Sequence, residues 1–133
     1  MAVATTIELI NGGEPITFNC ADGTGIPKGT LLKLTSGRIV AAASADGDIW
    51  AGVAAAEKVA NDGATTIAVY TKGIFEMTTS AAAISTGDQL SINGANEIKI
   101  FTAGDYEDGV AFGKALTDVG GAGGTVDVAI GVY

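Results

Sequence analysis

One passage of this sequence occurs twice in similar form. Residues 25 to 44, GIPKGTLLKLTSGRIVAAAS, resemble residues 83 to 103, AISTGDQLSINGANEIKIFTA. At an offset of 58 residues, Ile26, Gly29, Leu32 and Leu34 align with Ile84, Gly87, Leu90 and Ile92. Each passage alternates apolar and polar residues and then reaches a turn containing glycine, which is typical of a β-hairpin. We interpret the repetition as an internal duplication.

A second pair of passages extends the duplication. After about three inserted residues the match resumes at an offset of 61, where Ile67 and Val69 align with Val128 and Ile130. Alternating β-branched and aliphatic residues predict four strands in each copy. They lie near 30–35, 38–43, 49–56 and 65–71 in the first copy, and near 88–92, 97–102, 110–116 and 125–132 in the second.

The predicted fold class is all-β. It is a compact β-barrel or sandwich built from two similar four-stranded units, about residues 25–77 and 83–133, with an N-terminal arm. A four-stranded unit with one apolar face cannot bury that face alone, so we expect the two copies to close a common core. The 133 residues suit one domain. We therefore divide the chain into an arm, 1–24, and a single barrel domain, 25–133.

Three local features leave alternatives open. In the arm, Ile7 and Leu9 alternate with polar residues, as Ile16 and Phe18 do, which suits an added strand or a partner-binding extension. The segment TTSAAAIS between the copies suits either a short helix or a loop. Gly73 lies within a long apolar run, and we interpret it as a bulge in a strand that continues to residue 77.

Charge limits the classes of partner. The chain has seven Lys and Arg residues and fifteen Asp and Glu residues, which gives a formal net charge of −8. The basic residues are scattered, whereas nucleic acids and anionic membranes are bound by clustered ones, so we expect neither partner. The amino end lacks the pattern of a signal peptide, and no apolar window is long enough to span a bilayer, which favours synthesis in a cytosol.

Residues that carry chemistry are sparse. Without histidine the chain lacks the commonest general base and zinc ligand, and no glycine-rich stretch matches a phosphate-binding motif. Cys20 is interpreted as a free structural thiol. The clustered acids are interpreted as solvated turns rather than a calcium site, and the aromatics as core or subunit contacts. The acids are Asp46, Asp48, Asp105, Glu107 and Asp108. The aromatics are Trp50, Phe75, Tyr106, Phe112 and Tyr133. We predict no catalytic, cofactor or metal site and no enzyme.

The order of these passages resembles the capsid decoration, or cement, proteins of tailed bacteriophages. GIPKGTLLKL, ADGDIWAGVAAAEKVANDGATTIAVYTKGIF, AISTGDQLSI, GVAFGKAL and VDVAIG carry the resemblance, over roughly residues 24–131. It implies a β-rich protein, made in the bacterial cytoplasm, that binds the outer surface of the expanded capsid. Its partners would be the major capsid protein and itself, as a homotrimer at local three-fold positions. It would stabilise the head against internal pressure.

The arm is the expected capsid-binding segment, with Val3, Ile7, Leu9 and Ile10 as its contact residues. An alternative is a non-catalytic β-sandwich binding module of a phage fibre or other assembly. Clustered exposed aromatic residues on one face would favour that module. Paired carboxylates in a cleft would instead indicate an enzyme.

Overall fold

Short β-strands form the regular structure of this chain. A computed structural model describes residues 3–8, 14–79, 82–101 and 110–131. The strands in these ranges are β1 (Thr5–Glu8), β2 (Ile16–Cys20), β3 (Leu31–Ser36), β4 (Ile39–Ala42), β5 (Trp50–Ala54), β6 (Thr66–Tyr70), β7 (Gly73–Thr79), β8 (Gln89–Gly94), β9 (Glu97–Ile100), β10 (Gly113–Ala115) and β11 (Thr125–Ile130). The described residues contain no helix, so the predicted all-β class is confirmed.

The strands form two closed barrels of five strands each. The first barrel has the order β2-β4-β3-β5-β6. The second has the equivalent order β7-β9-β8-β10-β11, and β1 is added to it at the edge of β7. In both barrels the first strand pairs in parallel with one neighbour, β2 with β4 and β7 with β9. The duplication is therefore present in the topology as well as in the sequence.

Each copy has one strand more than the four predicted. Residues 16–20, which the sequence placed in the arm, form β2 of the first barrel. Gly73 begins the separate strand β7 with φ of 141° and is not a bulge within one long strand. Because the fifth strand closes each copy on itself, the core is not closed by the two copies together. The segment suggested as a possible helix is not helical at Thr78, Thr79 or 82–85, and residues 80–81 lie outside the described ranges.

Backbone geometry confirms the first register of the repeat and corrects the second. Arg38 and Asn96, at the tips of the two hairpins, both have φ near 58° (58° and 57°). In the β5–β6 pair, Ala54 lies opposite Val69, and in the equivalent β10–β11 pair, Ala115 lies opposite Val128. Val128 is thus the counterpart of Val69, and the offset here is 59 rather than 61. The loop before β11 is two residues shorter than the loop before β6, and sequence similarity alone hid this deletion.

Two apolar clusters stabilise the fold, and one of them joins the barrels. The first barrel encloses a small cluster that includes Leu32, Val40 and Val69. The larger cluster fills the second barrel and continues onto the outer face of the first, where it includes Leu31 and Val53. Burying this shared aliphatic surface removes it from water, which is the main favourable contribution to holding the barrels together.

Polar contacts add to the junction between the barrels. The Leu31 N–H donates a hydrogen bond to Oδ1 of Asn96, at the tip of the second hairpin (3.0 Å). Nζ of Lys99 lies 2.7 Å from a carboxylate oxygen of Asp46. The tip of the second hairpin thus rests on the first barrel.

Candidate functional site

The amino-terminal arm forms an edge strand. β1 runs antiparallel to β7, with Thr5 opposite Glu76 and Thr6 opposite Phe75, and an irregularity follows before Glu8. The Ala4 N–H donates to the Gly29 carbonyl at 2.8 Å, and the Ala4 side chain belongs to the large apolar cluster. The arm therefore spans from the second barrel to the first.

The predicted contact residues of the arm have different environments. Val3 is half-buried beside Gly29, where φ is 87° and an added Cβ would lie 3.0 Å from Cγ2 of Val3. Ile7 is 48% exposed. Leu9 and Ile10 lie outside the described residues. Within the described part of the arm, Ile7 presents the larger apolar surface to a partner.

A cleft lies beside the arm. It has a volume of about 300 Å³ and is lined by Ala4, Thr5, Thr6, Lys28, Gly29 and Ala54. Apart from Lys28 and the two threonines, its lining residues are alanine and glycine, which have no reactive side chains. Such a surface suits an extended chain segment better than a small substrate.

A buried lysine is the most polar feature of the first barrel. Nζ of Lys58 donates to Oδ1 of Asp62 (2.7 Å), Oδ1 of Asp22 (2.9 Å), and the carbonyls of Val59 (2.7 Å) and Asp22 (3.1 Å). Burial favours a lower pKa for Lys58, but the hydrogen bonds to Asp62 and Asp22 outweigh it and raise the pKa above its ordinary value. The ammonium is fully paired, so it acts as a structural cation and not as a base.

Cys20 lies close to this ionic group and is inert. The thiol is buried, and burial is the main reason that its pKa is raised. Lys58 lowers the pKa of Cys20, whereas Asp62 and Asp22 raise it. A thiol with a raised pKa is mostly protonated near neutral pH and is a poor nucleophile. This environment agrees with a structural role for Cys20.

The candidate acidic and aromatic residues also have structural contacts. Asp48 accepts hydrogen bonds from the Ser44 and Ala45 N–H groups (2.8 and 2.9 Å). The Trp50 ring stacks on Phe112, with centroids 4.0 Å apart and planes 14° from parallel. Asp105, Tyr106, Glu107, Asp108 and Tyr133 lie outside the described residues. In the part of the chain that the structure describes, no group of three or more acids or cysteines is placed to hold a metal ion.

The sequence pattern did not reveal that residues 16–20 form the barrel strand β2. Its residue Ile16 is 47% exposed although it belongs to a barrel strand. The alternation of Ile16 and Phe18 was visible in the sequence, but nothing local indicated that these residues pair with β6.

Within the described ranges, no helix is long and apolar enough to cross a bilayer.

Comparison with known proteins gives a matching family and a similar solved structure. The family model for phage cement protein matches residues 10–130. No curated protein sequence matches the chain. The crystal structure of the head fiber gp8.5 N base of bacteriophage phi29 is similar, with a TM-score of 0.55 and 18% identity, over 87% of this chain and 92% of that chain. That likeness supports the two-barrel fold, and the family match, which spans most of the sequence, shows that the chain belongs to the phage cement protein family.

Proposed function

We propose that this chain binds the outer surface of the expanded phage capsid, as a trimer at local three-fold positions, and stabilises the shell against internal pressure. Its family membership makes it a structural protein of the phage head, and this match over residues 10–130 is the observation that carries the proposal. The major capsid protein is its proposed partner, and it would reach the virion after synthesis in the host cytoplasm.

The contacts of the described residues support binding rather than catalysis. Lys58 and Cys20, two groups with reactive potential, are engaged or protonated inside the first barrel. The accessible features are the strand edge of β1, an exposed apolar side chain at Ile7 and the cleft beside the arm. These features suit recognition of an extended segment of another protein.

Attachment of several linked copies would give strong binding from weak individual contacts. Once one subunit of a trimer has bound, attachment of the second and third is effectively intramolecular. The arm, with Val3, Ile7, Leu9 and Ile10, is the proposed capsid-facing segment. Its connection to both barrels would transmit the contact to the whole molecule.

Co-sedimentation with phage heads tests the proposal. The purified protein would be mixed with expanded heads that lack it, with unexpanded procapsids and with a soluble control protein. We expect saturable binding to expanded heads, near one copy per capsid subunit, and none to procapsids. Equal binding to both shells, or to neither, would contradict a site created by capsid expansion. Native mass spectrometry of the free protein would establish whether it is a trimer before binding.

A second candidate function is the base of a head fibre. The structural similarity to the phi29 head fiber base covers nearly the whole of both chains. A fibre base would also bind the capsid, but it would carry a projecting structure. Electron microscopy of decorated heads separates the two functions, since a cement protein adds compact density and a fibre base adds a protruding one.

A further inference from the structure

The two barrels differ at one strand edge. In the second barrel, β9 pairs with the end of β7 from Thr78 onward, and β1 pairs with the beginning of β7, from Ile74 to Glu76. In the first barrel, β4 pairs with β2 from Asn19 onward. Among the described residues, no strand pairs with the beginning of β2 on that side. The edge that β1 fills in one copy is thus open in the other.

The strand pairings establish which residues correspond. Cys20 lies opposite Val40. Thr79 lies opposite Ile98, which is the counterpart of Val40 in the second hairpin. Ile16 lies opposite Val69, and Phe75 lies opposite Val128. Both pairs give an offset of 59 residues between β2 and β7. Thr17 therefore corresponds to Glu76, the residue that faces Thr5 of β1.

The backbone of Thr17 points to the open edge. Asn19 donates its N–H to the Arg38 carbonyl near β4, and Cys20 donates to the Thr65 carbonyl on the opposite side. Successive residues of a strand alternate in this way, so Thr17 points in the same direction as Asn19. The Thr17 carbonyl accepts a hydrogen bond from the Arg38 guanidinium at 2.8 Å. A side chain thus occupies the place that a strand would take.

The side chains at this edge are correspondingly exposed. Ile16 is 47% exposed, whereas its counterpart Phe75 is fully buried. Phe18 is half-buried beneath the Arg38 guanidinium, which lies 5.7 Å from the ring centroid. Pro15 precedes them and lacks an N–H, which is a common device for protecting an edge from indiscriminate pairing.

We propose that the edge of β2 at Ile16–Phe18 binds an extended segment of the capsid subunit, which adds to the first barrel as an antiparallel strand, as β1 adds to the second. This inference rests on the proposed function and identifies a contact separate from the arm. The bound segment would exchange hydrogen bonds with Thr17, displace the Arg38 guanidinium and cover Ile16 with an apolar side chain.

A second copy of this chain is a poorer occupant of the edge. Its own β1 already pairs with β7, so transferring that strand would open one edge in order to close another. A segment of the capsid subunit would leave the β1–β7 pairing intact.

Proline substitution tests the edge while sparing the barrel. Because the Thr17 N–H points away from β6, the variant Thr17→Pro removes no bond of the β2–β6 ladder but prevents a new strand from pairing. Thr17→Val is the matched control, because it changes the same exposed side chain but keeps the backbone N–H.

The readout is co-sedimentation with expanded heads assembled from the capsid protein of the same phage without this chain. We expect Thr17→Pro to weaken binding at least about tenfold with an unchanged circular dichroism spectrum, and Thr17→Val to bind within about twofold of wild type. If Thr17→Pro fails to fold, Ile16→Asp replaces it, with Ile49→Asp, which is similarly exposed, as its control.

If Thr17→Pro binds expanded heads as tightly as wild type does, the inference is overturned and the proposed function stands. Equal weakening by Thr17→Pro and Thr17→Val would also overturn it, because the loss would then not come from the backbone N–H. A wild-type protein that does not bind heads would contradict the proposed function and this inference with it. Self-association that is lost in Thr17→Pro would assign the edge to a second copy and overturn the assignment to the capsid.

Discussion

Lys58 shows how the two copies have diverged at a single residue. The Lys58 backbone pairs with Ile26, and in the second copy Val119 pairs in the same way with Ile84. One copy thus has a buried ammonium where the other has an apolar side chain. The ammonium is tolerated because Asp22 and Asp62 supply opposite charge and its hydrogen bonds are satisfied.

Replacing Lys58 by methionine is expected to destabilise the protein strongly. The change would leave the Asp22 and Asp62 carboxylates close together without their shared cation, and the carbonyls that Lys58 bonds would lose a donor. We expect the melting temperature to fall by several degrees, on the order of 5 °C or more. Lys33→Met is the matched control, since Lys33 is more exposed. Equal shifts in the two variants, followed by circular dichroism, would refute a special role for Lys58.

Asp62 makes part of the stability depend on pH. The hydrogen bond from Lys58, together with the Ala64 N–H, holds the pKa of Asp62 below its ordinary value of 3.8. A carboxylate with a lowered pKa in the folded state stabilises it above the unfolded pKa, and this contribution is lost as the pH falls through the folded value. We therefore expect wild type to melt higher than Asp62→Asn near pH 6. The difference should shrink below about pH 3.8, and thermal melts that show a constant difference down to pH 2.5 would contradict this explanation.

At the scale of elements, local patterns predicted strands but not all of their partners. All eight strands of the two predicted units are present, and β3, for example, spans Leu31–Ser36 where 30–35 was predicted. Alternation and turn residues are local signals, so they are visible in sequence. The pairing of β2 with β4 and β6 joins segments far apart along the chain, and no such signal marks it. The open edge and the paired arm follow from those long-range pairings, so sequence alone did not reveal them.

The arm is expected to contribute to stability through its backbone and to binding through Ile7. Deleting residues 1–8 would remove the β1–β7 ladder and uncover the cluster that Ala4 covers, at a cost on the order of 1–3 kcal/mol. Ile7→Asp changes an exposed side chain, so we expect little change in stability but weaker binding to heads. Urea denaturation and co-sedimentation measure the two effects. An Ile7→Asp variant that unfolds early would show that the side chain belongs to the core.

At the scale of the whole molecule, the duplication produces two closed barrels that share the larger of two apolar clusters. The sequence predicted the repetition but not that each copy closes on itself, because closure depends on the unrecognised first strand of each unit. The larger apolar cluster includes residues of both barrels, and Trp50 of the first barrel stacks on Phe112, which precedes β10 of the second. Two barrels that share buried surface to this extent should unfold together.

Phe112→Ala tests whether the barrels form one cooperative unit. Phe112 is buried, so truncation should cost about 3 kcal/mol or more from lost burial and the cavity left behind. Trp50 is the chain's single tryptophan and stacks on Phe112, so its fluorescence reports on the junction between the barrels, while circular dichroism reports on all the strands. If the core is shared, the two probes will give coincident urea transitions, and in Phe112→Ala both will move to the same lower midpoint. A variant in which the fluorescence and circular dichroism transitions separate would instead show that the two barrels do not unfold as one unit.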